Sequence, residues 1–201
     1  PVAGDMLDRE LIRAKVFPCL GSKSRYGPSQ LPMPQYVYSS LLDWQNLYKL
    51  NTEETLNWLI AVESSSTQPE AIRALRTFIQ RNYGYPLVRK VEHAKKTLSS
   101  LDETQVEFTT EFLRLALPAT RTEFTKIIEP VLEDMLECAK EAESAAGLAP
   151  EDIDLVLTTG GTCLVPAVRE MLTTRYGAEK ILHRDTFTSV ATGLAIVAQY
   201  L

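Results

Sequence analysis

Glu92, Lys95, Lys96 and Ser99 stand at i, i+3, i+4 and i+7. In a helix that spacing sets all four on one face. A carboxylate and an ammonium can each hydrogen-bond a sugar hydroxyl, and a lysine stem can lie across a purine ring. The same spacing also describes a solvated face with Glu92–Lys96 as an i,i+4 ion pair, contributing ~0.3–0.5 kcal/mol. A second stretch, LVLTTGGTCLVP from Leu155 to Pro166, has a different potential. Ile153, Leu155, Val156 and Leu157 form a short apolar run, as expected for a parallel strand buried on both faces. Gly160-Gly161 ends it, and glycine lets the backbone adopt positive φ and approach a ligand closely. Pro166 suits the first turn of a helix, which Val165, Val168, Met171 and Leu172 continue. A strand, a glycine turn and a helix N-terminus aim amides at one point, a geometry that fits phosphate. An ordinary tight turn between strand and helix has the same signature, and the chain has no GxxxxGK[ST].

Composition narrows the setting of these residues. The 201-residue chain is 45% hydrophobic and 23% charged, enough for one large or two small domains with a sizeable core. A net charge of −5 argues against a nucleic-acid partner. No apolar run approaches the ~18 residues of a membrane span, so no membrane partner is expected, and no signal peptide is visible. Cys19, Cys138 and Cys163 are widely separated and odd in number, which points away from disulfides and toward a reducing, cytoplasmic compartment. His93 and His183 lack a second ligand at metal spacing and read as surface residues. The opening PVAGDMLD, without methionine, reads as the start of a piece of a longer protein.

The positioning elements follow from periodicity. Asp5–Val16 is expected to be a helix with Leu7, Leu11, Ile12 and Val16 inward, and Phe17–Gln35, rich in proline and glycine, a long loop. Tyr36–Leu50 reads as one aromatic-rich helix, followed by a helix start at Asn51-Thr52-Glu53-Glu54 with Leu56, Leu59 and Ile60 inward. Another start at Thr67–Glu70 leads a stripe of Ile72, Leu75 and Ile79, with Gly84 expected as its C-terminal glycine. Trp44, Trp58 and the tyrosines are expected to pack in the core. Leu87–Ser99 is a helix buried through Val88, Val91, Ala94 and Leu98. Gln105–Thr109 and Leu113–Leu117 form a hairpin around Glu111. A long helix opens at Thr120, carries Phe124, Ile127, Ile128, Val131, Leu132, Met135 and Leu136 inward, and should kink at Pro130. Lys180–Leu182 is a short strand. Asp185 caps a final helix whose inner face is Phe187, Val190, Ala191, Leu194 and Val197.

Laid out in this order, the chain resembles the second lobe of the ATPase domain of the DnaK-type, seventy-kilodalton heat-shock chaperones, members of the actin-like ATPase superfamily. AGDMLD, residues 3–8, is similar to the family's opening of the upper subdomain, and VEHAKKTLSS, residues 91–100, to its adenosine-binding helix. TRTEF with EPVLEDML resembles the helix returning to the base. LTTGGTCLVPAV with DTFTSVATGLA, residues 157–168 and 185–195, resembles the second phosphate loop and closing helix. Residues about 17–86 depart from the DnaK pattern and look like the divergent YegD-like branch. The resemblance implies that Glu92 and Lys95 bind ribose and that Lys96 and Ser99 hold adenine. Lys96 stands where the family usually has arginine, and an ammonium stacks on a purine less well than a guanidinium. Gly160, Gly161 and Thr162 would line the phosphates and ribose, Gly4 would approach the phosphates, and Asp185 would fall near the nucleotide. Leu164 takes the place of an arginine over the adenine, while Val165 would offer an apolar wall.

The fold implied is helix-rich α+β/α/β, the second lobe of the actin-like (ribonuclease-H-like) ATPase with a truncated base. Residues 1–119 would be the upper nucleotide-exchange subdomain, with a helical insertion at about 17–86, and residues 120–201 the C-terminal part of the base. Hinges are expected near residues 1–4 and 118–122. The implied ligand is ATP or ADP, with Mg²⁺ carried by the nucleotide and by a first lobe upstream of residue 1. That lobe would also hold the first phosphate loop and catalytic lysine, so the chain by itself is expected not to hydrolyse ATP. An unfolded-protein client or co-chaperone would be the macromolecular partner. Two other readings stand beside this one. One is a protein-interaction module that docks through residues 17–86 and has a degenerate nucleotide site. The other is an actin-like small-molecule kinase.

Overall fold

The structure, a computed structural model, describes residues 4–183 and 189–199. In chain order it contains α1 (Gly4–Leu11), a π-helical segment (Ile12–Val16) and α2 (Phe17–Cys19). A small hairpin, β1 (Arg25–Tyr26) with β2 (Leu31–Pro32), leads to α3 (Gln35–Leu42), a 3₁₀ segment (Trp44–Leu50), α4 (Glu53–Ser65), α5 (Pro69–Gln80) and α6 (Gly84–Leu98). Then come β3 (Glu103–Thr109), β4 (Arg114–Thr120), α7 (Arg121–Ala146), β5 (Val156–Thr158), α8 (Pro166–Tyr176), β6 (Ile181–His183) and α9 (Ser189–Ala198). The chain divides into two units, Leu7–Ile127 and Pro1–Met6 with Ile128–Leu201, and the division falls within α1 and within α7.

The Leu7–Ile127 unit closes a core from neighbouring helices. Leu7, Leu11 and Val16 are fully buried, as their spacing predicts. The helix does not stop at Val16, however. It continues through π turns into α2, with the Phe17 amide donating to Ile12 O. Pro18 has no N–H for the Ala14 carbonyl, and its ring would crowd that oxygen in an α-helix, so the wider turn relieves the clash. The expected loop at Phe17–Gln35 therefore shrinks to α2 and the β1–β2 hairpin. Helix α3 ends at Asp43 and the chain continues as 3₁₀, rather than as one helix over Tyr36–Leu50. Thr52 caps α4 by accepting the Thr55 amide at 3.2 Å. On α4 the buried residues are Leu59 and Val62, and Ile60 is exposed.

Gly84 is not a C-terminal glycine. Helix α5 ends on Asn82, at φ 53°, and the Tyr83 amide reaches back to Phe78 O at 3.0 Å, the closure normally made with glycine. Gly84 opens α6 instead, where a Cβ would lie 2.9 Å from Trp44 Cβ. The aromatic residues also depart from expectation. Tyr38 is buried and donates to Leu20 O at 2.9 Å, but Tyr36, Tyr48 and Tyr85 are exposed, with Trp44 and Trp58 half-buried. α6 packs on β3 through Val91, Ala94 and Leu98. β3 and β4 pair antiparallel in the register Val106↔Leu117.

In the other unit, β5, α8 and β6 form a parallel βαβ unit with Leu157 opposite Leu182. α7 runs through Pro130, and Gly147 at φ 69° follows its end. The strand is not buried on both faces. Leu155 and Leu157 are more than half exposed, and so are Leu194 and Val197 of α9, with Ala191 exposed as well. A parallel strand is covered only when strands and helices flank it on all sides, and β5 has β6 as its one paired neighbour among the described residues. Asp185 and Phe187 lie outside the described residues, and the Val190 side chain is not described.

Candidate functional site

Two constellations come from different units. On α6, burial of Val91, Ala94 and Leu98 turns Glu92, Lys95, Lys96 and Ser99 to other faces. Glu92 accepts from Lys96 Nζ at 2.7 Å and from Arg89 Nη1 at 2.8 Å. The hydrogen bond from Lys96 leads in holding the Glu92 carboxyl below the usual carboxylate range. A carboxylate has about four lone-pair sites, so Glu92 can still accept from a ligand hydroxyl. Ser99 Oγ donates to Lys95 O at 3.3 Å.

Lys95 takes a direction of its own. Its ammonium lies 2.7 Å from Asp8 Oδ2, with the two side chains only 13% and 10% exposed. The helix face thus brings Glu92 and Lys96 into contact and directs Lys95 to α1. The importance of Asp8 escaped the sequence reading although its signal was present. Asp8 sits three and four residues before Leu11 and Ile12, on the buried side of α1, where an acid requires a cation.

In the other unit, Gly160 has φ 86° and ψ 160°, a conformation that favours glycine. A Cβ at Gly160 or Gly161 would meet nothing within 4 Å, so packing does not demand glycine at Gly161 and the space beside the turn is open. A 3₁₀ turn, Gly161–Leu164, then leads into α8, with Pro166 in its first turn. Thr162 and Leu164 are half-buried. Val165 is 3% exposed, so its side chain belongs to the packed interior. Gly4 is the first residue of α1.

Cys163 lies in the 3₁₀ turn that leads into α8. A helix N-terminus can lower a thiol pKa and make it reactive, but here burial pushes the Cys163 thiol up. The thiol donates to Thr159 O at 3.3 Å. The same unit also contains a polar cluster that no motif announced. Glu143 of α7 accepts from Arg175 Nε at 2.8 Å, from Arg175 Nη2 and, at 2.5 Å, from Tyr176 Oη. The Arg175 guanidinium, then the Tyr176 hydroxyl, hold its carboxyl down at about 2. Sequence offers little signal for this cluster because its partners are more than 30 residues apart and meet only when α7 packs on α8.

A hard cation such as Mg²⁺ requires several oxygen ligands at one point. Among the described residues no three acids, histidines or cysteines gather in that way. The described residues therefore do not fit a resident Mg²⁺ by themselves. None of their helices is long and apolar enough to cross a membrane.

A glycine turn thus leads into the helix of a βαβ unit, and a carboxylate–lysine–serine face stands on a helix that packs on a hairpin strand. Residues 80–201 match the family described as Hsp70 protein. The chaperone protein DnaK from each of two strains of Thermus thermophilus is 32% identical to this chain over 154 residues, 73% of this chain and 24% of the relative. The chain belongs to the Hsp70 family. It spans about a quarter of the length of these curated relatives.

Proposed function

We propose that this chain supplies one wall of an adenine-nucleotide site in a DnaK-type chaperone ATPase, similar to the YegD-like branch. Glu92 and Lys95 bind the ribose, Lys96 and Ser99 hold the adenine, and Gly4, Gly160, Gly161 and Thr162 line the phosphates, with Val165 packed behind the turn and Asp185 near the nucleotide. Residues 1–119 act as the subdomain that moves on ADP/ATP exchange, and residues 120–201 as part of the base. Mg²⁺ arrives with the nucleotide and with a first lobe. Client and co-chaperone capture in the cytoplasm belongs to the whole protein. The observation that carries this reading is the Glu92 carboxylate, ionised by Lys96 and Arg89 and 27% exposed on the same helix as Lys95 and Ser99.

A ¹⁵N NMR titration with Mg-ADP tests the reading. Shifts at Glu92–Ser99 and Gly160–Cys163 are expected, and silence at both up to millimolar ADP would overturn a half-site that works alone. Lys95→Ala is a poor probe of binding, since it leaves the Asp8 charge buried at a cost of ~3 kcal/mol. Lys96→Ala, at a side chain 64% exposed, weakens ADP binding without that complication. ATP turnover by the purified chain in a phosphate-release assay would contradict the need for a first lobe.

A second reading, an interaction module within 17–86, is favoured by one observation. Tyr36, Tyr48 and Tyr85 are 59%, 61% and 52% exposed, and Tyr85 lies against Trp44 with ring centroids 4.9 Å apart. Loss of partner capture in Tyr48→Ala and Tyr85→Ala, with ADP shifts retained, would select it. Tyr38→Ala would not, because Tyr38 is a core residue.

A further inference from the structure

Among the described residues β4 is paired along one side only. The parity of its ladder decides which backbone groups face away from β3. The Arg121 amide donates to Asp102 O at 2.8 Å, and the Thr110 amide to Leu113 O at 2.8 Å. Hydrogen-bonded pairs alternate along an antiparallel ladder, so residues 113, 115, 117, 119 and 121 bond toward β3. The N–H and C=O of Arg114 and Ala116 therefore point away from the hairpin. Pro118 agrees with this parity, since its missing N–H falls at an outward position and the ladder continues past it.

A groove of 690 Å³ runs along this edge. One wall is β4 from Leu113 to Leu117, and the other includes Pro18, Pro69, Ala71 and Ala74. The small side chains of Ala71, Ala74 and Ala116 leave room for a backbone. Arg114 and Glu70 line the groove from opposite walls, and neither makes an ion pair among the described residues. None of these residues belongs to the α6 face or to the glycine turn.

We propose that the groove takes an extended segment of a partner polypeptide, which joins β4 as a third strand. An outward row of alternating donors and acceptors is matched by another extended backbone. Charge selects the partner further. The free guanidinium of Arg114 favours an acidic residue on the added strand beside it, because opposite charges across strands attract. Pro118 limits the pairing to the Leu113–Leu117 half, as proline does on sheet edges.

The test uses two acetylated, amidated heptapeptides, Val-Thr-Val-Glu-Val-Thr-Val and the same sequence with lysine in place of glutamate. In ¹⁵N titrations of the full chain, binding should shift the Arg114 and Ala116 amides and slow their exchange. The glutamate peptide should bind on the order of threefold more tightly, and Arg114→Glu should reverse that order. Ala116→Pro removes an outward donor while sparing the bonds to β3, so it should weaken binding about tenfold with the β3–β4 cross-strand signals intact. Neither peptide shifting these amides at millimolar concentration would overturn the proposal. So would Ala116→Pro binding both peptides as well as the parent chain does. Edge protection that rises with protein concentration in the absence of peptide would instead assign the groove to a second copy of the chain.

Discussion

In the Leu7–Ile127 unit, Leu47, Ile72, Leu75 and Ile79 are all 0% exposed, whereas Leu157, Leu194 and Val197 of the other unit are 57%, 67% and 56% exposed. All seven are aliphatic, so side-chain hydrophobicity alone does not separate them. The difference is in what covers them. In the first unit an amphipathic stripe meets a neighbour close in sequence, α4 on α5 and α6 on β3, and short connections complete the core. A parallel strand is flanked on both faces and both edges by elements that are distant in the chain. β5 and β6 form a two-stranded sheet, and each leucine left exposed on it forgoes ~1.5–3 kcal/mol of burial.

The comparison is broken most directly by truncation. Leu75→Ala should destabilise the Leu7–Ile127 unit by ~2–5 kcal/mol, while Leu157→Ala should change stability by no more than ~0.5 kcal/mol. Denaturant unfolding followed by tryptophan fluorescence reports the first unit, since Trp44 and Trp58 both lie in it. Exchange of β5 amides reports the second. Equal losses from the two substitutions would show that Leu157 is covered in solution. Gly84→Ala should come next, at ~1–3 kcal/mol, because the new methyl would meet Trp44 Cβ at 2.9 Å and Leu47 Cδ2 at 3.0 Å. A neutral result in the same unfolding assay would mean that the 3₁₀ segment gives way.

The last expected effect depends on pH and belongs to the second unit. Glu143 titrates at about 2 in the folded chain and at ~4.3 when unfolded. A carboxyl with a lowered folded pKa contributes stability that is fully present above the unfolded value and is lost as pH falls toward the folded one. Amide protection around Gly147 and Tyr176 should therefore fall between ~pH 4.3 and 2, and Glu143→Gln should flatten that dependence. An unchanged profile in the variant would assign the acid sensitivity to other carboxylates.

Much of the fold was legible because its signals are local. The Leu7/Leu11/Val16 stripe, the β3–β4 hairpin and the strand–glycine–helix order around Gly160 depend on residues within a few positions of one another. The misreadings came from residues whose role depends on a neighbour distant in the chain. Gly84 looked like a helix terminator until Trp44 occupied the space beside it. Leu157 and Leu194 looked like core because periodicity reports what a side chain prefers, not what reaches it. On α6, spacing alone put Glu92, Lys95, Lys96 and Ser99 together, but it did not show that Asp8 holds Lys95.

The amino-acid sequence by itself determined the order of the elements, the family, and which residue types stand on the α6 face and in the glycine turn. These follow from helix and strand periods, from capping and from motif spacing, all of which act over a few residues. Tertiary structure alone decided the Asp8–Lys95 pair, the Glu143–Arg175–Tyr176 cluster, the close approach at Gly84 and the open edge of β4. Each depends on the packing of segments far apart in sequence, where sterics and desolvation choose between partners that a linear pattern leaves equal.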